Sequence, residues 1–237
     1  MIEIRSGVEL PAIREEIVLT TTDGLNLVGE LATPVSAKVA STLVTLHPLP
    51  TAGGFMDSHI LRKAANRLPA LADLAVLRFN TRGTESPRGK SDGAFGEGVT
   101  ERHDVEAAVK FAEARGLPNI WLLGWSFGTE LALKYGADKD VRGIILLSPP
   151  LHRTSEAELS VWANNGKRVV ALVPELDDYL VPAEAEQRFK AIPQLELVAV
   201  DGAKHLWVGE AATKRVLDEI VKAVNPAAYP LPEVFEA

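Results

Sequence analysis

The sequence predicts an α/β fold with a mostly parallel, eight-stranded sheet that is covered by helices on both faces. Two observations support this prediction. Short apolar runs recur along the 237 residues, and most of them are nearly continuous in apolar residues, as is typical of parallel strands buried on both faces. Helical stretches separate most of these runs, and such an alternation indicates a sheet between two helix layers.

The strands are predicted from short runs rich in β-branched and apolar residues. Thr22-Asp23-Gly24 joins the first two runs and is a hairpin signal. The eight predicted strands span 16–21, 25–31, 41–47, 74–79, 120–124, 141–147, 169–173 and 195–200.

Helices are predicted in the segments between and after these strands. Thr100 is expected to be the N-cap of one helix, and Ser155 and Glu158 have the spacing of a capping box. The six predicted helices span 57–71, 100–115, 127–135, 155–163, 182–190 and 210–224.

These elements predict a single domain over residues 1–237, with no large cap domain. Its core is expected over about 14–224, and the proline-containing tail, 225–237, is predicted to be irregular. The connection between Leu147 and Val169 has room for one short helix only.

Composition and charge exclude several classes of function. The 25 basic and 32 acidic residues give a net charge of −7. A nucleic-acid-binding protein usually has an excess of basic residues to contact the phosphate backbone, and this chain does not. Without cysteine, the chain cannot use a thiol nucleophile, a disulfide or a Cys-ligated metal. No apolar run approaches the roughly 20 residues that span a bilayer, and the N-terminus has no signal-peptide pattern. We therefore expect a cytoplasmic protein with no nucleic-acid or membrane partner.

The strongest chemical signal is Gly124-Trp125-Ser126-Phe127-Gly128, between a predicted buried strand and a predicted helix. A G-x-S-x-G sequence in this context predicts a sharp turn that exposes the serine hydroxyl above the sheet. Ser126 is therefore the candidate nucleophile. Because Phe127 begins the helix, its N–H is a candidate donor to a developing oxyanion.

A serine nucleophile needs a base, and one of the five histidines is placed to be that base. His205 follows the last predicted strand, so it should lie at the same carboxyl edge of the sheet as Ser126. The third group should be an acid after the preceding strand. Counting from the start of that strand favours Asp177, and counting back from Val181-Pro182 favours Asp178. We prefer Asp177, because the end of the strand fixes the geometry.

With these motifs the chain resembles the α/β-hydrolase superfamily, and more narrowly its small capless bacterial members with a His-Pro-x-Pro segment after the third strand. That segment is His47-Pro48-Leu49-Pro50, and 78–83 and 202–205 also match. The resemblance implies a second oxyanion donor in this segment. Since proline has no N–H, Leu49 is the candidate. The chain departs from the familiar pattern at Thr129, where a small residue is usual.

The sequence thus predicts a carboxylesterase-like serine hydrolase that acts on a small-molecule acyl substrate without a cofactor or metal. Trp125 and Phe55 are adjacent to the proposed chemistry and are candidate pocket residues. The same three side chains would also suit a peptidase, thioesterase, amidase, C–C hydrolase or acyltransferase. A non-catalytic binding protein on the same fold is the alternative from another class. The sequence does not specify an oligomeric state, and a homodimer stays open.

Overall fold

A computed structural model describes residues 1–36 and 38–236 of the chain. Its central sheet has eight strands in the order β1-β2-β4-β3-β5-β6-β7-β8. The strands are β1 (Ile13–Thr20), β2 (Asn26–Thr33), β3 (Ser41–Leu46), β4 (Leu74–Phe79), β5 (Ile120–Trp125), β6 (Gly143–Leu147), β7 (Arg168–Pro174) and β8 (Leu195–Val200).

The pairing of the strands confirms the predicted sheet. β2 runs antiparallel to both β1 and β4, whereas the pairs from β4 through β3 to β8 are parallel. All six residues are buried in each of β3, β4 and β5. Such burial on both faces explains why these strands are continuous apolar runs in the sequence.

Helices cover the sheet on two sides and enclose one apolar core on each. α1 and α6 pack on one face through residues such as Leu61 and Leu217. α2 and α3 pack on the other through residues such as Val109 and Leu131. The helices are α1 (His59–Ala72), α2 (Arg102–Ala114), α3 (Phe127–Tyr135), α4 (Glu156–Ser160), α5 (Pro182–Arg188) and α6 (Glu210–Val224).

Several helix boundaries differ from the prediction by one to three residues. α2 begins at Arg102, so Thr100 is not its N-cap. The carboxylate of Glu101 accepts the N–H groups of Gly96 and Gly98 at 2.7 and 2.9 Å, which ties the end of the preceding loop to the start of the helix. The capping box at Ser155 is confirmed, but α4 ends at Ser160 and is shorter than predicted.

The C-terminal tail contains more regular structure than predicted. Pro226–Ala228 form a 3₁₀ turn, and Val234–Phe235 pair antiparallel with Ile2–Glu3. In the connection between β6 and β7, α4 is the helix that the structure describes, so no large cap covers the carboxyl edge of the sheet. Within residues 1–36 and 38–236, no helix has the length and apolar character needed to cross a membrane.

Candidate active site

Ser126 stands at the sharp turn between β5 and α3. Its backbone has φ 51° and ψ −117°, a conformation that is strained for a residue with a side chain. The flanking backbone holds it there: the Ser126 N–H donates to Leu147 O at 2.9 Å, and the Thr129 N–H donates to Ser126 O at 2.8 Å. The predicted turn therefore presents a serine at the carboxyl edge of the sheet.

The glycines on either side of Ser126 allow the strand and the helix to cross closely. A Cβ atom on Gly124 would collide with the backbone of Gly128, and one on Gly128 would collide with the backbone of Leu46. The hydroxyl of Thr129 donates to Ser126 O at 2.6 Å. Thr129 is buried, so the larger residue at this position is accommodated by a hydrogen bond to the turn.

His205 and Asp177 complete a chain of hydrogen bonds that begins at Ser126. The Ser126 Oγ lies 2.9 Å from His205 Nε2, and His205 Nδ1 lies 2.9 Å from Asp177 Oδ2. An ionised carboxylate can only accept, so Nδ1 carries the proton of a neutral His205. The lone pair of Nε2 then faces the serine hydroxyl, as proton removal from that hydroxyl requires.

The surroundings of Asp177 favour its charged form. Burial alone would raise the pKa of Asp177, but the bond from His205 and the N–H of Tyr179 outweigh burial and lower the pKa. The Tyr179 N–H donates to Asp177 Oδ1 at 2.9 Å. Asp178, the alternative acid, is exposed. The structure thus brings Asp177, and not Asp178, to His205.

Two buried groups hold the backbone of His205 from behind. The indole N–H of Trp125 donates to His205 O at 3.2 Å, and the hydroxyl of Ser148 donates to the same oxygen at 3.1 Å. On the side facing the cavity, the Tyr179 ring meets the His205 ring edge to face at 4.7 Å. The backbone of His205 is therefore held by two hydrogen bonds, and its imidazole ring packs against Tyr179.

The N–H groups of Phe127 and Leu49 are both available as donors. Phe127 is the first residue of α3, where N–H groups have no partner within the helix. Among the described residues, neither N–H has an acceptor in the protein. Leu49 is fixed nearby because its carbonyl accepts the N–H groups of Ala52 and Gly54 at 3.0 and 2.9 Å.

The ring of His47 fixes the start of the Leu49 loop. The Thr81 N–H donates to His47 Nε2 at 3.0 Å, so the ring proton is on Nδ1, which donates to Pro48 O at 2.7 Å. Burial lowers the pKa of His47 to about 4. This histidine is therefore neutral near pH 7 and holds Pro48 against the end of β4.

A cavity of about 180 Å³ opens beside Ser126. Leu49, Phe127 and His205 line it, as do Pro48, Ala52, Glu130, Pro150, His152, Arg153, Tyr179 and Leu206.

The structure does not bring Trp125 and Phe55 into this cavity. Trp125 is buried with the core on the α1 and α6 face of the sheet, because successive residues of a strand point to opposite faces. Phe55 lines a separate depression beyond the 3₁₀ turn Pro50–Ala52. Their expected role as pocket residues is therefore corrected.

Glu130 and Arg153 form a charged wall of the cavity that no motif in the sequence indicated. The Glu130 carboxylate accepts the Arg153 N–H, and it also pairs with Arg153 Nη1 at 3.4 Å. The two residues are distant in the sequence, and only the packing of the loop after β6 against α3 brings them together. Within residues 1–36 and 38–236, no cluster of His, Asp and Glu side chains has the geometry of a metal site.

Comparison with known proteins identifies this architecture. Residues 43–226 match the family model described as alpha/beta hydrolase fold. No curated protein matches the chain by sequence.

Several solved structures resemble most of the chain. An alpha-beta serine hydrolase homologue from Coxiella burnetii is 24% identical, with a TM-score of 0.74 over 89% of this chain and 97% of that one. A serine hydrolase without a lid from Xanthomonas campestris is 23% identical, with a TM-score of 0.71 over 94% and 98%. An esterase from Pyrococcus furiosus is 20% identical, with a TM-score of 0.69 over 90% and 93%. At these identities the likeness extends to the fold.

Proposed function

Because the chain belongs to the alpha/beta hydrolase fold family, we propose that it is a serine hydrolase that cleaves esters of small acyl groups. The observation that carries this proposal is the unbroken chain from Ser126 through His205 to Asp177, with bonds of 2.9 Å at each step. Such a chain converts a weakly nucleophilic hydroxyl into a nucleophile.

In the proposed first half-reaction, Ser126 Oγ attacks the ester carbonyl carbon while its proton passes to His205 Nε2. The carbonyl oxygen gains the negative charge, and the N–H groups of Phe127 and Leu49 donate to it. Asp177 stabilises the imidazolium that has formed. The tetrahedral intermediate then expels the alcohol, which takes the proton from His205, and the acyl group remains on Ser126.

In the second half-reaction, water attacks the acyl-enzyme. His205 accepts a proton from the water and returns it to Ser126 Oγ as the carboxylic acid leaves. The site is open to solvent because no large cap covers it, so water has direct access to the acyl carbon. The absence of a cap and the fold also support placing the chain in the capless subgroup with a His-Pro-x-Pro segment.

The size of the cavity supports a small acyl group. At about 180 Å³, it is smaller than the roughly 300–1,000 Å³ of sites that enclose drug-sized ligands. Its walls at Leu49, Pro150 and Leu206 are apolar. A short acyl chain fits this space better than a long lipid chain does.

The test is the Ser126→Ala variant with short p-nitrophenyl esters as substrates. We expect a loss of turnover of about 10⁴-fold or more, with an unchanged thermal unfolding curve. A fluorophosphonate probe should label the wild-type chain at Ser126 and leave the variant unlabelled. Retained turnover in the variant would refute the proposed nucleophile, and an unlabelled wild type would favour a non-catalytic binding protein.

A further inference from the structure

Arg153 lines the cavity beside Ser126 and has no part in the proposed reaction. It follows β6 in the loop that leads to α4. A charged side chain at this position can contact a substrate that is bound at Ser126.

The protein holds the Arg153 guanidinium in place. Its carbon lies 5.6 Å from the centre of the Phe127 ring, within the range of a cation–π contact. Gly98 leaves room for this arrangement, since a Cβ atom there would lie 3.4 Å from Arg153 Cδ and 3.3 Å from the Phe127 ring. Glu130 binds both the backbone and one end of the guanidinium of Arg153.

Of the paired charges in this wall, the cation is the accessible one. The Glu130 side chain is 1% exposed, whereas that of Arg153 is 34% exposed. Among the described residues, Arg153 Nε and Nη2 donate to no protein acceptor. A guanidinium presents its N–H groups as a planar fork that matches a carboxylate. Two adjacent donors are thus open to a ligand in the cavity.

We propose that Arg153 binds a carboxylate on the substrate, and that the substrates are esters with an anionic group near the bond that is cleaved. This inference rests on the proposed function and specifies its substrate class. Because Ser126 and Arg153 share a cavity of about 180 Å³, only a few bonds separate the ester carbonyl from the carboxylate.

The carboxylate can belong to either side of the ester, and two matched pairs of substrates distinguish these sources. Monomethyl succinate and methyl succinamate differ only in a charged or neutral group on the acyl side. Acetoxyacetate and acetoxyacetamide differ in the same way on the alcohol side. The readout is the ratio of kcat/KM within each pair, obtained by titration of the released acid.

We expect the wild-type chain to prefer the anionic member of one pair, with the preference expressed mainly in KM. Arg153→Gln should lower that ratio about tenfold or more, since hydrogen bonds to charged groups contribute that much. A ratio is used because a general loss of folding lowers both rates alike. Arg142→Gln is the matched control. It removes the same charge just before β6, at the opposite edge of the sheet, and should leave the ratio unchanged.

An equal ratio in wild type and Arg153→Gln for both pairs would overturn the assignment of Arg153, as would an equal fall in Arg142→Gln. Fluorophosphonate labelling separates this failure from failure of the proposed function. A chain that is labelled at Ser126 but does not discriminate within the pairs is a serine hydrolase without the anion preference. A chain that is not labelled refutes both proposals.

Discussion

His47 and His205 both follow strands at the carboxyl edge of the central sheet, but they meet different partners. His47 comes after β3, and its ring nitrogens bond to the backbone of Pro48 and to the N–H and hydroxyl of Thr81. His205 comes after β8 and uses its ring nitrogens on the side chains of Asp177 and Ser126. The first histidine is 1% exposed, and the second lines the cavity.

The comparison shows that the hydrogen-bond partners of a histidine at this edge determine whether it can act as a base or only hold a loop. Burial without an anionic partner lowers the pKa of His47 to about 4, so this ring stays neutral and holds a loop. His205 has a carboxylate that stabilises its charged form and a hydroxyl that can give it a proton. We therefore expect substitutions of the two residues to affect different properties.

Replacing His205 should produce the largest effect on turnover. In His205→Ala, no base accepts the Ser126 proton, and kcat should fall by about 10⁴-fold or more. The measurement is steady-state hydrolysis of a short p-nitrophenyl ester. His103→Ala is the control, because His103 lies on α2, where its ring contacts Thr22 in the turn between β1 and β2, and it does not line the cavity. Equal losses in the two variants would contradict the role of His205.

Removing the charge of Asp177 should have the next largest effect. Asp177→Asn takes away the acceptor that fixes the proton on His205 Nδ1, and kcat should fall by about 10³-fold or more. Asp178→Asn is the matched control. Asp178 is the adjacent acid, but its side chain is exposed, and it is Asp177 that contacts His205. If Asp178→Asn lost as much activity as Asp177→Asn, the assignment of the acid would be wrong.

His47 should affect stability, and its effect should depend on pH. The pKa of His47 is about 4 in the folded chain and about 6.5 in an unfolded one. Between these values the unfolded chain binds more protons, so the free energy of unfolding falls as the pH falls. This loss begins near pH 6.5 and is complete below pH 4, and it amounts to roughly 3 kcal/mol.

Urea unfolding at pH 7.5 and pH 5 measures this effect. The wild-type chain should lose roughly 2 kcal/mol more between these pH values than His47→Asn does, since asparagine does not titrate. Comparing the two chains cancels the carboxylates that also titrate in acid. The same pH dependence in both chains would show that His47 does not carry this contribution.

Much of the site was predictable because strand ends can be located in a sequence. Ser126, Asp177 and His205 each follow a strand in the parallel part of the sheet. Parallel strands end at one edge, so the three were expected to meet there, and the distances agree. The Gly124 and Gly128 pair was equally predictable, since close crossing of β5 and α3 excludes a Cβ atom.

Other parts depended on contacts that no local pattern records. The side of the sheet to which Trp125 points could not be determined, because β5 is buried on both faces and its sequence does not alternate. Arg153 meets Glu130 only through the path of an irregular loop. α2 begins two residues later than predicted, where the Glu101 side chain binds N–H groups of the preceding loop. The capping pattern that predicted Thr100 does not take such a contact into account.

Replacing Trp125 should have the smallest effect on kcat, because Trp125 contacts only the backbone carbonyl of His205 and not its ring nitrogens. Trp125→Phe keeps most of the buried aromatic ring but removes the N–H that donates to His205 O. One neutral hydrogen bond contributes about 1 kcal/mol, so kcat should fall about fivefold, while Ser148 still holds the same oxygen. Trp121→Phe is the matched control. It lies on the same strand, and its ring packs near Arg168, away from His205.

The comparison of these two variants tests whether the hydrogen bond from Trp125 to the His205 carbonyl helps to position the imidazole. If the backbone contact matters, Trp125→Phe lowers kcat and leaves KM near its wild-type value, because Trp125 does not line the cavity. Trp121→Phe should change neither constant. An effect of Trp125→Phe on KM alone would instead indicate that the indole shapes the substrate site, as the sequence first suggested. Unchanged constants in both variants would show that the indole N–H of Trp125 is not needed to position His205.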